Sequence, residues 1–144
     1  MPKTVSIFIG LAVIATAAWI TQCPCDRSPG AWLIGDVVED PVADWSFANQ
    51  AGLCQLEVAG VIPHSVNLNC MADASELFIS CARCDGKYWS TRAMETPYGR
   101  IKIRDSVYPV KMIRARDNAT LDRAWRARAV SYTHLRAHET SLHL

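Results

Sequence analysis

One uninterrupted order of strands, a turn and a short helix, over residues 60–116, most constrains how this chain can fold. Alternating apolar and polar residues predict strands, because a period of two places every second side chain on the same face of a sheet. The predicted strands are 53–58, 64–70, 76–81, 100–104 and 107–114. An Asp85-Gly86 turn and a short helix over 87–95, which Pro97 helps to end, separate the third strand from the fourth. The expected fold class is mainly β, within α+β.

The same alternation predicts which side chains form the core. Residues 23–52 are expected to be an irregular lead-in that contains cysteine and proline and anchors two aromatic rings in the core. A last helix is expected over 119–129, with Asn118 as its N-cap. The expected inward-facing residues are Trp45, Phe47, Cys54, Leu56, Val58, His64, Val66, Leu68, Cys70, Ile101 and Ile103.

The N-terminal residues carry a targeting pattern. Residues 5–20 are apolar or small, with few interruptions, and follow Lys3. Such a run has the length of an export signal and is short for a membrane span, which needs about 20 residues. Residues 1–22 are therefore expected to be a signal peptide or a membrane anchor. The domain would then be secreted to the periplasm, or anchored in the inner membrane and facing the periplasm; a lipid-modified Cys23 and a buried core helix are weaker alternatives.

Six cysteines in a chain of 144 residues are typical of an oxidising compartment. Their spacing leaves the pairing open. Structural disulfides or buried thiols are the main interpretation. A zinc site and a redox pair at the Cys81-x-x-Cys84 motif are the alternatives. The zinc site would use Cys23, Cys25, Cys81 and Cys84.

Charge is unevenly distributed along the chain, although the net charge is only +1. Residues 100–128 contain nine Lys or Arg against three Asp. On alternating strands and an exposed helix, such a pattern is typical of a solvated face, and it is also compatible with binding an anion. No nucleic-acid-binding motif accompanies it, so nucleic acid is not an expected partner.

The C-terminal residues 130–144 are expected to be foreign to the native domain. The segment VSYTHLRAHET, residues 130–140, resembles the in-frame translation of a transposase adapter used in sequencing libraries. Three of the four histidines lie in this tail, so a metal site is not inferred from them. The native C-terminus is expected to be missing, and with it the end of a domain that covers residues 53–129.

Residues 53–128 resemble a known family, the FMN-binding split β-barrel of the pyridoxamine 5'-phosphate oxidase type, with its flavin and deazaflavin reductase relatives. The resemblance rests on a strand that begins Pro63-His64 after a glycine turn and on a next strand that ends Ser80-Cys81. It also rests on Lys87 opening a short helix, and on a basic strand pair that runs into a closing helix. It implies an antiparallel split β-barrel with short helices and a homodimer.

The resemblance also implies a cofactor site. Ser80, Arg83 and Lys87 would hold the phosphate of FMN, or of a related deazaflavin, because a hydroxyl, cations and a helix N-terminus suit a dianion. Trp89 could cover an edge of the ligand, and His64 would face it. Cys81 and Cys84 depart from the family pattern, and no catalytic residue is identified.

Two functions follow as hypotheses. In the first, the chain is an exported or membrane-anchored, flavin-binding oxidoreductase. In the second, it is a cofactor-free, disulfide-stabilised module of the bacterial cell envelope that binds an anionic ligand or a partner.

Overall fold

A computed structural model describes residues 3–22 and 24–140 of the chain. Three α-helices, one 3-10 helix and six strands follow one another in this part of the chain. They are α1 (Lys3–Gln22), β1 (Asp36–Val37), the 3-10 helix (Ser46–Gln50), β2 (Leu53–Val58), β3 (His64–Ala72), β4 (Leu77–Ser80), α2 (Tyr88–Glu95), β5 (Tyr98–Ile103), β6 (Ser106–Lys111) and α3 (Asn118–Thr140).

The six strands form one sheet in the order β1-β6-β5-β2-β3-β4. Four pairings are antiparallel, and β1 pairs with β6 in parallel, so the sheet is mixed. The α+β class is confirmed, and the five strands predicted from alternation are all present.

The sheet is open, which differs from the closed antiparallel barrel that the sequence led us to expect. Its two edges, β1 and β4, contain only two and four residues. Strands this short offer few backbone groups for pairing, and short edge strands are a common way to end a sheet. Gly35 lets the lead-in approach β6 closely, because a Cβ at this position would collide with the carbonyl oxygen of Asp105.

One face of the sheet packs on a core that the alternation predicted well. Cys54, Cys70, Ile101 and Ile103 are buried together with Ala48 of the 3-10 helix. Aromatic side chains from the lead-in complete this cluster: the Trp45 ring lies 5.3 Å from the ring of Tyr108 and 5.8 Å from that of Phe47. The 3-10 helix is held by Asn49, whose amide exchanges two hydrogen bonds with the backbone of Ala72 at 2.7 and 2.9 Å. Trp45 and Phe47 are therefore core anchors, as predicted.

The opposite face is also covered, which the sequence analysis did not foresee. Residues 30–33 of the lead-in lie over β2 and β3, where Gly30 and Ser65 exchange backbone hydrogen bonds at 2.8 and 2.9 Å. Ala31, Leu33 and Ser65 are all buried there. Ser65 lies on the face of β3 opposite the residues predicted to point inward, and it is buried because this segment covers it.

The N-terminal helix α1 packs differently from the rest of the chain. Its described side chains, residues 4–19, are all exposed, and most of them are apolar. In the described part of the chain, no helix meets the length and hydropathy needed to cross a bilayer.

The C-terminal helix α3 begins one residue before its predicted start. Its N-cap acceptor is Asp117 rather than Asn118, because the Asp117 carboxylate accepts a hydrogen bond from the Thr120 backbone N–H at 2.8 Å. This bond lowers the pKa of Asp117. The helix continues to Thr140, beyond the expected end at residue 129; residues 141–144 of the expected tail lie outside the described part.

Candidate functional site

The candidate site lies at the end of edge strand β4. Ser80 is the last residue of β4, and residues 81–87, here called the anion loop, lead into α2. A disulfide between Cys81 and Cys84 closes the first part of the loop. Arg83 and Gly86 have positive φ values of 56° and 78°, so the chain reverses direction sharply within a few residues.

The loop leads into the N-terminus of α2, which has no side-chain cap. Lys87 is the N-cap residue of α2, has an extended backbone, and offers no side-chain cap. The first backbone N–H groups of a helix point outward and carry partial positive charge, which makes this end attractive to anions. The hydroxyl of Ser90 contacts the carbonyl oxygens of Cys84 and Lys87, at 2.5 and 2.9 Å, and so fixes the loop on the first turn.

Two cations flank this helix end. The side chains of Arg83 and Lys87 are exposed, and neither has an ion-pair partner in the part of the chain that the structure describes. Asp85, which lies between them, forms an exposed ion pair with Arg114 at 2.9 Å. The negative charge inside the loop is thus partly balanced by a residue beyond β6, and the loop keeps a positive character.

Ser80 and Trp89 occupy buried positions beside the loop. The Ser80 hydroxyl oxygen is buried and has no hydrogen-bond partner among the described residues. The indole of Trp89 is only 9% exposed and packs with Leu56, Val58 and Leu68 in a second core cluster. Cys81 and Cys84 pack against the cluster that contains Trp89, so this cluster supports the loop from the core side, while Arg83 and Lys87 are exposed.

His64, the first residue of β3, lies beside the start of α2. Its imidazole makes an edge-to-face contact with the Tyr88 ring, with 4.8 Å between the ring centroids. Partial burial lowers the pKa of His64. Tyr88 is itself exposed, and its hydroxyl lies near Gly60 in the turn between β2 and β3, which also contains the exposed residues Val61 and Ile62. The exposed ring of Tyr88 therefore borders the positive loop.

Ser80, Arg83, Lys87 and Trp89 thus all lie between the end of β4 and the first turn of α2, and Tyr88 connects His64 to this region. Sequence reasoning missed three residues that build the site: Tyr88, Ser90 and Arg114. The role of Ser90 could have been predicted from the sequence, because a hydroxyl in the first turn of a helix commonly bonds nearby backbone groups. The contacts of Tyr88 and Arg114 depend on tertiary packing, and no local sequence pattern predicts them.

The basic stretch over residues 100–128 is largely engaged in contacts within the chain. Arg100 pairs with Glu57, Arg123 pairs with Asp73 and Glu76, and the ammonium group of Lys102 donates to the carbonyl of Ile34 at 2.6 Å. Much of its charge therefore serves the fold. Comparisons of the chain with protein-family models, curated proteins and solved structures found no match.

A flavin nucleotide fits the site in part. The exposed cations and the uncapped helix end suit its phosphate, and the exposed Tyr88 ring offers a surface for an aromatic ring. The buried Ser80 hydroxyl and Trp89 indole are not accessible to such a ligand in this structure. The fit is good for the phosphate and incomplete for the ring.

Proposed function

We propose that this chain is an exported domain that binds a small phosphate-bearing ligand at the anion loop. The observation that carries the proposal is the placement of two exposed cations, Arg83 and Lys87, at and just before an uncapped helix N-terminus. Each of these features attracts anions weakly at an exposed site. Because they are close neighbours along the chain, they can act together on one phosphate group, as cations and helix N-termini commonly do in proteins.

The ligand proposed first is FMN, or a related deazaflavin, as the family resemblance implies. When bound, such a cofactor would supply hydride transfer, and the protein would orient it through its phosphate. Lys87 and Arg83 would hold the phosphate, and Tyr88 would border the ring. The split barrel and the homodimer of that family belong to this proposal, since a second subunit could cover the open edge at β4.

Export is the second part of the proposal. Two disulfides, Cys54–Cys70 and Cys81–Cys84, favour an oxidising compartment. The apolar side chains of residues 5–19 of α1 are exposed, so this part of the helix contributes little to the core. Both observations support residues 1–22 as a leader or an anchor, and the periplasm or its membrane surface as the location.

The binding proposal is tested by titrating the full chain with FMN and following the fluorescence of the flavin. Replacing Arg83 and Lys87 together, R83Q/K87Q, is expected to weaken binding at least about tenfold, because one hydrogen bond to a charged group contributes about 1.5–3 kcal/mol. The control is R116Q/R126Q, which removes two exposed arginines outside the site and lowers the net charge equally. Equal weakening in both variants would show that only net charge matters and would overturn the proposal.

A second candidate function is the cofactor-free envelope module. The observation that favours it is the burial of Ser80 and Trp89, which leaves the ring of a flavin without its expected contacts. In that case the loop would bind inorganic phosphate or another small anion. Stabilisation of the wild-type chain by phosphate, with no response to FMN beyond that of phosphate, would select this candidate.

A further inference from the structure

The disulfides Cys54–Cys70 and Cys81–Cys84 lie in opposite environments. Cys54 and Cys70 join neighbouring strands β2 and β3 inside the core, and they are only 1% and 2% exposed. Cys81 and Cys84 lie just after β4, outside the strand ladders, and both are partly accessible to solvent. Thiol–disulfide exchange requires a thiolate to reach a sulfur atom. The Cys81–Cys84 pair is therefore accessible to exchange, and the buried Cys54–Cys70 pair is not.

We propose that the Cys81–Cys84 pair is redox-active and oxidises dithiols by thiol–disulfide exchange. This activity is independent of the binding function proposed above. It gives a chemical role to Cys81 and Cys84, the two cysteines that do not fit the pattern of the split-barrel family. Its substrate class is a peptide or protein that presents two nearby thiols.

The surroundings of the pair stabilise a thiolate. Cys84 is tied to the first turn of α2, because its carbonyl oxygen accepts hydrogen bonds from the Lys87 backbone N–H at 3.3 Å and from the Ser90 hydroxyl at 2.5 Å. Cations and helix N-termini are the features that lower the pKa of cysteine thiols in proteins. Arg83 and Lys87 supply the cations, and Arg114 pairs with Asp85, the acidic residue of the loop.

Cys84 is therefore the better leaving group. A thiolate of the partner attacks the sulfur of Cys81, the Sγ–Sγ bond breaks, and its electron pair leaves on Cys84. The second thiolate of the partner then attacks the partner sulfur that is bonded to Cys81 in the mixed disulfide. That S–S bond breaks, and Cys81 leaves as a thiolate. The partner is oxidised to a disulfide by two electrons, the Cys81–Cys84 pair is reduced to a dithiol, and the two protons of the partner pass through solvent to the new thiols.

The reduced loop can keep its shape. The contacts of Ser90 with Cys84 and Lys87 do not involve sulfur, and they persist after reduction. Reduction therefore leaves the sheet and α2 in place, which a reversible redox pair requires.

The test mixes the oxidised full chain with a two-cysteine peptide in the absence of oxygen. Free thiols are trapped with a maleimide at successive times and assigned by peptide mass spectrometry. We expect Cys81 and Cys84 to become labelled at least ~10-fold faster than Cys54 and Cys70, whose reduction needs an opening of the sheet. We also expect peptide disulfide to form in an amount that matches the labelled pair.

Two results would overturn the proposal: labelling of both pairs at the same rate, or a Cys81–Cys84 pair that stays oxidised. The double variant C81S/C84S should not oxidise the peptide, and circular dichroism reports whether it folds. Because the labelling of the wild-type chain is an internal comparison between two pairs, it decides the question even if that variant does not fold.

Discussion

Glu57 on β2 and Arg100 on β5 are direct cross-strand partners, and the guanidinium donates two hydrogen bonds to the carboxylate at 2.8 and 2.6 Å. The same carboxylate accepts a hydrogen bond from the Leu33 backbone N–H at 2.6 Å. The pair thus fastens the lead-in to the middle of the sheet. The hydrogen bond to Glu57 also raises the pKa of Arg100.

Replacing Glu57 with alanine is expected to destabilise the protein by about 2–3 kcal/mol. The substitution leaves the Leu33 N–H and a half-buried guanidinium without their acceptor, and each unsatisfied group costs about 1–3 kcal/mol. Urea unfolding measures the effect. Glu95→Ala is the control, because it breaks the exposed ion pair of Arg92 and Glu95 at 2.6 Å, which should contribute less than about 1 kcal/mol. Equal losses in the two variants would contradict the central role of Glu57.

The two disulfides are expected to contribute unequally to stability. Cys54 and Cys70 are 16 residues apart in sequence, whereas Cys81 and Cys84 are three apart. In the chain-entropy account, the longer loop stabilises the fold by about 1.5 kcal/mol more. Urea unfolding of C54A/C70A should therefore show a loss that exceeds that of C81A/C84A by at least this amount. A larger loss in C81A/C84A would refute the assignment of Cys54–Cys70 as the structural pair.

Trp89 and Trp125 provide a matched comparison of a buried with an exposed indole. Trp89 is packed in the second core cluster, whereas Trp125 on α3 is 66% exposed. Trp89→Ala should destabilise the protein by about 3–5 kcal/mol, and Trp125→Ala by less than about 1 kcal/mol. Thermal unfolding followed by circular dichroism measures both. A mild effect of Trp89→Ala would mean that the indole is not a core residue and is free to cover a ligand.

The attachment of α3 is expected to weaken in acid. The Asp73 carboxylate accepts a hydrogen bond from Arg123 at 2.6 Å, and this contact is the main reason why the pKa of Asp73 is lowered. A lowered carboxyl pKa stabilises the folded state fully above the ordinary value of 3.8, and that contribution is lost as the pH falls through the lower, folded-state pKa.

Asp73→Asn should therefore flatten the pH dependence of stability below about pH 4. Urea midpoints measured between neutral pH and pH 3 provide the comparison with the wild-type chain. Asp122→Asn serves as the control, because Asp122 is exposed on α3 and has no hydrogen-bond or ion-pair partner among the described residues. If the urea midpoint of Asp73→Asn fell in acid as steeply as that of the wild-type chain, the contact with Arg123 would not contribute to the pH dependence of stability.

Much of the sheet could be predicted from local pattern. The alternation in β2 and β5 correctly identified Cys54, Leu56, Val58, Ile101 and Ile103 as buried, because each strand has one face on the core. The Asp85-Gly86 turn and Pro97 likewise located α2 to within one residue. These signals are local, and each acts within a few residues of the structure that it specifies.

The remaining features depend on contacts between distant parts of the chain. Burial of Ser65 requires the lead-in to cross β3, and the alternation within β3 cannot reveal this contact. The parallel pairing of β1 with β6 joins residues about 70 positions apart, which no local period can reveal. The cations of the candidate site were readable from sequence, whereas the burial of Ser80 and Trp89 followed only from packing.

The most direct test of the account compares FMN with riboflavin, which has the same ring system and lacks the phosphate. Isothermal titration of the full chain with each compound isolates the contribution of the phosphate to binding. We predict that FMN binds at least about tenfold more tightly and that R83Q/K87Q abolishes this preference. Equal affinity for the two flavins, or a preference that survives in R83Q/K87Q, would contradict the claim that the anion loop holds a phosphate.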